Sequence, residues 1–155
     1  MYENQNLIIE TAKIDAGRIA WQCPSNLALI KYWGKHGNQL PQNPSISFTL
    51  DNAYTQTYLE YRPKTGADEG IALSFFFKDE SNEPFRLKLV SFLEKITPIF
   101  PFLKQLDLTI RSDNSFPHSA GIASSASSMG ALALCLCSLE DRFFGTLNNL
   151  SLIHI

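Results

Sequence analysis

Cysteine, net charge and long apolar runs are all scarce in this chain, and each scarcity narrows what it can be. Only Cys23, Cys135 and Cys137 occur among its 155 residues. The number is odd, two of them sit two positions apart in one predicted helix, and none has the spacing of a metal site or a redox pair. They read as reduced thiols packed as small hydrophobes. The 13 basic and 15 acidic residues leave a formal charge of −2. With no basic block and no RNA-binding aromatic motif, that balance argues against nucleic acid or an anionic membrane as a partner. The N-terminal stretch 1–10 lacks the basic start and apolar core of a signal peptide. No apolar run approaches the roughly 20 residues of a spanning helix. The expectation is a soluble, cytoplasmic protein.

What is present is a globular composition, 45% hydrophobic and 18% charged, in a chain long enough for one domain with a real core. No repeat, low-complexity tract or linker interrupts it. Gly17 to Leu29 reads as an extended entry, broken by Pro24-Ser25-Asn26. Short strands are predicted at Ile46–Leu50 and Tyr54–Tyr61, the second with Thr55, Thr57, Leu59 and Tyr61 on one face. Ile71–Lys78 is a further strand. From Pro84 the period turns helical, through Phe85, Leu89, Phe92, Leu93 and Ile96, and Pro98 and Pro101 end the helix. Leu106, Leu108 and Ile110 alternate as a half-buried strand. A last helix places Ile122, Ala126, Met129, Ala133 and Leu136 on one face, in a segment so poor in charge that most of it must be buried. Strands followed by packed helices indicate an α+β domain.

The stretch "FPHSAGIASSASSMGALALCLCSLE", residues 116–140, joins a strand to that helix through glycine and hydroxyl residues. The first turn of a helix leaves N–H groups without intrahelical partners and carries positive potential, and a phosphate satisfies both. Gly121 permits close approach, and Ser119, Ser124, Ser125, Ser127 and Ser128 supply hydroxyls. The bland alternative is a helix start capped by Ser119 or a neighbour, with the other serines merely small enough to pack. No Gly-Lys-Ser/Thr follows the glycine, so this is not a Walker loop. Composition alone leaves the two readings open.

Upstream, "PSNLALIKYWGKHGNQLPQNPSISFTL", residues 24–50, sets Lys31 and Lys35 around Tyr-Trp-Gly in an apolar setting. Gly34, Gly37 and Asn43-Pro44 provide turns. If Leu29, Ile30 and Trp33 draw Lys31 towards the core, it needs an anionic partner. The alternative is that both lysines snorkel to solvent.

Together "SNLALIKYWGK" and "NSFPHSAGIASSAS" resemble the diphosphomevalonate decarboxylases of the GHMP kinase superfamily. The second stretch follows that superfamily's Pro-x-x-x-Gly-x-x-Ser-Ser pattern at Pro117, Gly121, Ser124 and Ser125. The lysine-flanked Tyr-Trp-Gly is the narrower match, and "NPSISFTL" resembles the strand that follows it. The resemblance implies a GHMP kinase N-terminal domain, of the ribosomal protein S5 domain 2-like kind, with a mixed or antiparallel sheet packed by helices. It implies ATP-dependent decarboxylation of mevalonate 5-diphosphate to isopentenyl diphosphate, with ATP and Mg²⁺ as cofactors and a homodimeric parent. Tyr32, Trp33, Gly34 and Lys35 would hold the substrate diphosphate, and Lys31 would orient groups at the reacting end. Gly121, Ser124 and Ser125 would cradle the ATP phosphates, Ser125 also placing Mg²⁺; Ser119 and Ser127 are weaker candidates.

There are departures. His118 and Ser119 stand where many relatives carry Thr and Ala, and His36 where Arg is common. His118 reads as a plain loop residue and Asp113 as a turn or cap residue. The resemblance covers the chain to about Asn149, less than half of a family member. A Ser-Gly-Ser-Ala-x-Arg segment and a catalytic Asp of the C-terminal domain are missing. Residues 1–149 are thus expected to be an incomplete N-terminal domain, inactive or nearly so alone, and 150–155, "LSLIHI", a non-native or truncated end. Two other readings stand beside this: a superfamily kinase that stops after phosphorylation, and a non-catalytic phosphate-binding or dimerising module.

Overall fold

The computed structural model describes residues 7–10, 13–31, 33–37, 40–66, 68–117 and 121–146. Strands β1 (Gly17–Ile30), β2 (Lys35–His36), β3 (Leu40–Pro41), β4 (Ile46–Pro63), β5 (Ala72–Phe77) and β6 (Glu80–Ser81) precede helix α1 (Glu83–Ile96). A 3-10 turn (Pro101–Gln105), strand β7 (Leu106–Asn114) and helix α2 (Ser124–Phe144) follow. The main sheet runs β1-β4-β7-β5-β6, and β2 with β3 forms a separate small hairpin. Only β5 and β7 pair in parallel, as the α1 crossover between them requires.

Both helices cover one face of this sheet. The predicted alternation in β4 holds: Thr55, Thr57, Leu59 and Tyr61 are all buried. In β7, Leu106, Leu108 and Ile110 are buried likewise. They join Leu89 and Leu93 of α1 and Leu132, Cys135, Leu136 and Leu139 of α2 in one hydrophobic cluster. Asn82 caps α1, its Oδ1 accepting from the Phe85 N–H at 3.0 Å, and Pro84 occupies the first turn.

Three expectations need correction. Pro24-Ser25-Asn26 does not end the first strand; β1 continues through it. Pro24 pairs with Tyr54 but Ser25 with Leu50, so the irregularity is taken up by Asp51–Ala53 on the partner strand. β1 is an edge strand, where a missing N–H is tolerated. For the same reason the two strands predicted at 46–50 and 54–61 are one, β4. In α2 the buried stripe is Ser127, Ala131, Leu132, Cys135, Leu136 and Leu139, whereas Ala126 is exposed and Ile122 precedes the helix. A helix with so few charges gives its pattern little phase information. Buried hydrogen bonds to Ser127 fix the rotation instead.

Beyond Asn26 the helical layer stops covering the β1–β4 ladder. None of residues 27–30 or 46–50 is buried, and Leu27, Leu29, Ile30, Ile46 and Phe48 are exposed as an apolar arm.

Candidate functional site

The turn before α2 begins with Gly121 at φ +76°, and a Cβ there would meet nothing within 4 Å. Ala123 also lies in the left-handed region, at φ 56°, and among the described residues no side chain caps the helix. Left-handed backbone at a non-glycine residue is uncommon and costly. Here it turns the chain so that α2 starts directly after it, with the Ala126 N–H already bonded to the Ala123 carbonyl. The Ser25 hydroxyl, on β1, donates to the Ile122 carbonyl and ties this turn to the sheet.

The serines divide by their bonding. Ser127 is 1% exposed. Its hydroxyl lies 2.6 Å from Thr55 Oγ1 and donates to the Ser124 carbonyl at 3.0 Å. Ser128 donates to the same carbonyl at 2.8 Å. Ser124 and Ser125 make no such side-chain bonds among the described residues. They open into a cavity of about 300 Å³ with Ser128, walled by Phe75, Phe77 and Phe85 and by Asn82, Ser112 and Asn114. Ser127 therefore holds the helix start in place and contributes nothing to the cavity lining. Ser119 and His118 lie outside the described residues, as does Tyr32.

Two contributors escaped the sequence. The first is α1, whose N-terminus reaches the cavity through Asn82 and Phe85, so two helix starts face one space. The second is Asn114, only 7% exposed. Its Oδ1 accepts from Thr55 Oγ1 at 2.7 Å, which leaves its Nδ2 donors for the cavity. Polarity on one wall and aromatic rings on the other suit a ligand with an apolar ring and an anionic tail. Asp113, expected in a turn or cap, instead lies in β7 opposite Gln56, exposed, with its carboxylate accepting from the Asn114 N–H at 2.7 Å and 3.8 Å from Lys78 Nζ.

The basic segment stands elsewhere. Lys31 is not drawn into the core, because Leu29, Ile30 and Trp33 are 63%, 51% and 91% exposed on the uncovered arm. Lys31, Trp33 and Lys35 are exposed and do not line the cavity. From Ser25, tied to the α2 turn, to Lys31 is six residues, about 20 Å of extended strand. The segment is held by Asn43, a residue the sequence marked only as the start of a turn. Its Oδ1 accepts from the Trp33 N–H at 2.8 Å, and its Nδ2 donates to the carbonyls of Lys31 at 3.3 Å and Pro44 at 2.8 Å. The Gln42 N–H donates to the Gly34 carbonyl at 2.9 Å.

Cys135 is fully buried, and desolvation pushes its thiol up to about 12; burial raises Cys23 and Cys137 as well. None is a reactive nucleophile. Among the described residues no group of three or more His, Cys, Asp or Glu side chains could hold a metal ion. Nor is any helix there long and apolar enough to cross a membrane.

A mixed sheet with one helical layer, opening at a glycine- and serine-bearing helix start, makes this a domain of the GHMP kinase fold, and solved structures agree. A mevalonate diphosphate decarboxylase from Staphylococcus aureus superposes with a TM-score of 0.66 at 31% identity, over 84% of this chain and 38% of that one. A structure described as MDDEF in complex with MVAPP, AMPPCP and magnesium matches with a TM-score of 0.59 at 30% identity, over 86% and 43%. Among curated relatives, the diphosphomevalonate decarboxylase of Candida albicans is 36% identical over 76% of this chain and 35% of its own length. Residues 23–151 match the family described as "Diphosphomevalonate decarboxylase-like N-terminal domain", and the chain belongs to it. The chain spans about a third of the length of the curated relatives it matches.

Proposed function

We propose that this chain is the nucleotide- and diphosphate-holding part of an ATP-dependent decarboxylase that converts mevalonate 5-diphosphate to isopentenyl diphosphate in the cytoplasm. The observation that carries the reading is the start of α2, uncapped among the described residues, where Ser124 and Ser125 open into the aromatic-walled cavity. These residues fit an ATP phosphate tail: N–H groups at a helix start, hydroxyls with no side-chain bond among the described residues, and no Cβ at Gly121. Bound MgATP supplies the phosphoryl group that makes the substrate's tertiary hydroxyl a good leaving group.

In this reading Gly121, Ser124 and Ser125 cradle the phosphates, with Ser119 a further candidate. Ser125 would offer its hydroxyl to Mg²⁺ carried in with the ATP phosphates; among the described residues no cluster of carboxylates is available to hold the ion. Ser127 serves indirectly, by fixing the turn on which Ser124 stands. Phe75, Phe77 and Phe85 exclude water from the nucleotide side. Lys31, Tyr32, Trp33, Gly34 and Lys35 hold the substrate diphosphate, the two ammonium groups offsetting its charge. Residues 1–149 then form the N-terminal domain, with 150–155 outside it although the family match runs to residue 151. The catalytic carboxylate belongs to a C-terminal domain of the parent, itself a homodimer, and that domain covers the apolar arm.

Calorimetric titration with MgATP tests this. The 155-residue chain binds it, and replacing both Ser124 and Ser125 by alanine weakens binding by about tenfold or more, the loss of hydrogen bonds to a charged group. Unchanged affinity refutes the assignment. With mevalonate 5-diphosphate added, the chain alone releases no carbon dioxide; turnover would show that the essential carboxylate lies within these residues.

A further inference from the structure

β1 ends at Ile30, paired with Ile46, and Lys31, Trp33 and Gly34 lie in no ladder before β2 begins at Lys35. Burial does not hold Lys31 and Trp33 either, since Trp33 is 91% exposed and Lys31 is exposed too. An exposed segment with no ladder and no burial should sample many conformations, because nothing offsets the entropy of ordering it. Yet one side chain bonds to two of its residues and to its own neighbour. Asn43 accepts from Trp33 N–H at 2.8 Å and donates both its protons, to Lys31 O at 3.3 Å and to its neighbour Pro44 O at 2.8 Å. Gly34 adds to the clasp: its carbonyl takes the Gln42 N–H, and a Cβ on it would lie 2.9 Å from Gln42 Oε1. Lys35 then enters β2 opposite Pro41. The clasp sits at the base of the turn and so fixes where the two lysines stand relative to each other.

The main sheet and its core are complete without these bonds. What the clasp orders is a pair of cations at the surface, and ordering them beforehand spares a ligand that cost. We propose that Asn43 is the positioning residue of the diphosphate site, holding Lys31 and Lys35 in the arrangement that a diphosphate meets. The inference rests on the diphosphate reading of the basic segment given above.

The test uses the 155-residue chain, with inorganic pyrophosphate and MgATP titrated separately by calorimetry. Asn43→Ala weakens pyrophosphate binding by about tenfold, the effect of losing charge-pair positioning through several hydrogen bonds. It leaves MgATP affinity and the melting temperature unchanged, and it speeds hydrogen exchange at the Trp33 amide. Combined with Lys35→Ala, its effect is less than additive, because both variants undo the same held pair. Should the alanine variant not fold, Asn43→Ser, with one acceptor on a shorter arm, gives an intermediate loss. A wild-type chain that ignores pyrophosphate overturns the diphosphate reading and this inference together. Wild-type binding that Asn43→Ala leaves intact overturns the inference alone. Parallel loss of MgATP and pyrophosphate affinity shows a general structural role and overturns it as well.

Discussion

Thr55 Oγ1 and Ser127 Oγ lie 2.6 Å apart across the interface between β4 and α2, both residues buried at 0% and 1% exposure. Thr55 donates onward to Asn114 Oδ1, and the one Ser127 proton is shared between Thr55 Oγ1 and the Ser124 carbonyl. One polar line thus runs from the first turn of α2 through the sheet to a residue lining the cavity. Thr55→Val keeps the shape but leaves the buried Asn114 Oδ1 without its donor and Ser127 with the Ser124 carbonyl alone. An unsatisfied buried group costs about 1–3 kcal/mol. Urea denaturation should show that loss in the midpoint with the slope unchanged. MgATP binding should weaken too if the line also positions Ser124. An unaltered midpoint would mean that water or a rotamer change satisfies the two groups.

That line also marks where the sequence stopped being legible. Period-two alternation read β4 and β7 correctly because each has one dry face and one wet face: Leu106, Leu108 and Ile110 leave no ambiguity. α2 offered no such contrast. Its polar residues near the start are serines, and a serine satisfied by Thr55 is as much a core residue as an alanine. Sequence could name the serines but not divide Ser127 from Ser124 and Ser125, because the division depends on Thr55, 72 positions away. Asn114 and the start of α1 were missed for the same reason. Their roles arise from the β5–α1–β7 crossover that brings both helix starts together. The basic segment was found by its motif, while its exposure followed from the end of the helical layer, which no local pattern announces.

Cys135 gives a pH signature. The folded thiol keeps its proton to about pH 12, against 9.0 for the unperturbed group. Between those values the unfolded chain holds fewer protons than the folded one. The stabilisation from this group is therefore complete below pH 9.0 and is lost as pH rises towards 12. The slope is at most about 1.4 kcal/mol per pH unit. Urea midpoints measured at pH 8 and pH 10.5 should fall more steeply for the wild type than for Cys135→Ala. Equal slopes would show that Cys135 titrates normally, and thus that it is wet. Under native conditions at pH 8 a disulfide-exchange reagent should leave Cys135 unmodified while denatured chain reacts fully.

Gly130 sits in mid-helix, where alanine is ordinarily better by about 1 kcal/mol. Here an added Cβ would stand 2.6 Å from Cys23 Sγ, on the strand packed against α2. Gly130→Ala should therefore destabilise the chain, by about 1–3 kcal/mol for overpacking. In a Cys23→Ala background the obstacle is gone and the same substitution should stabilise. Thermal melts of the four chains in this cycle decide it. Gly130→Ala that is stabilising in both backgrounds would mean that Cys23 turns aside at no cost, and that β1 and α2 are not closely packed at this point.

The apolar arm makes the last prediction. Leu27 pairs across the ladder with Phe48, and the two are 40% and 57% exposed; Leu29, Ile30 and Ile46 extend the patch on an edge strand. Contiguous exposed apolar surface beside unpaired strand edges favours association. Sedimentation of the 155-residue chain should show mass rising with concentration. Replacing Leu29 and Phe48 by glutamate moves the formal charge from −2 to −4, two acids added to the native count. Those charges would face each other in any arm-to-arm contact, so the double variant should remain monomeric. Its melting temperature should stay close to the wild-type value, because neither residue belongs to the core cluster. A wild-type chain that sediments as a monomer at every concentration would show that the arm folds back over its own apolar face in solution.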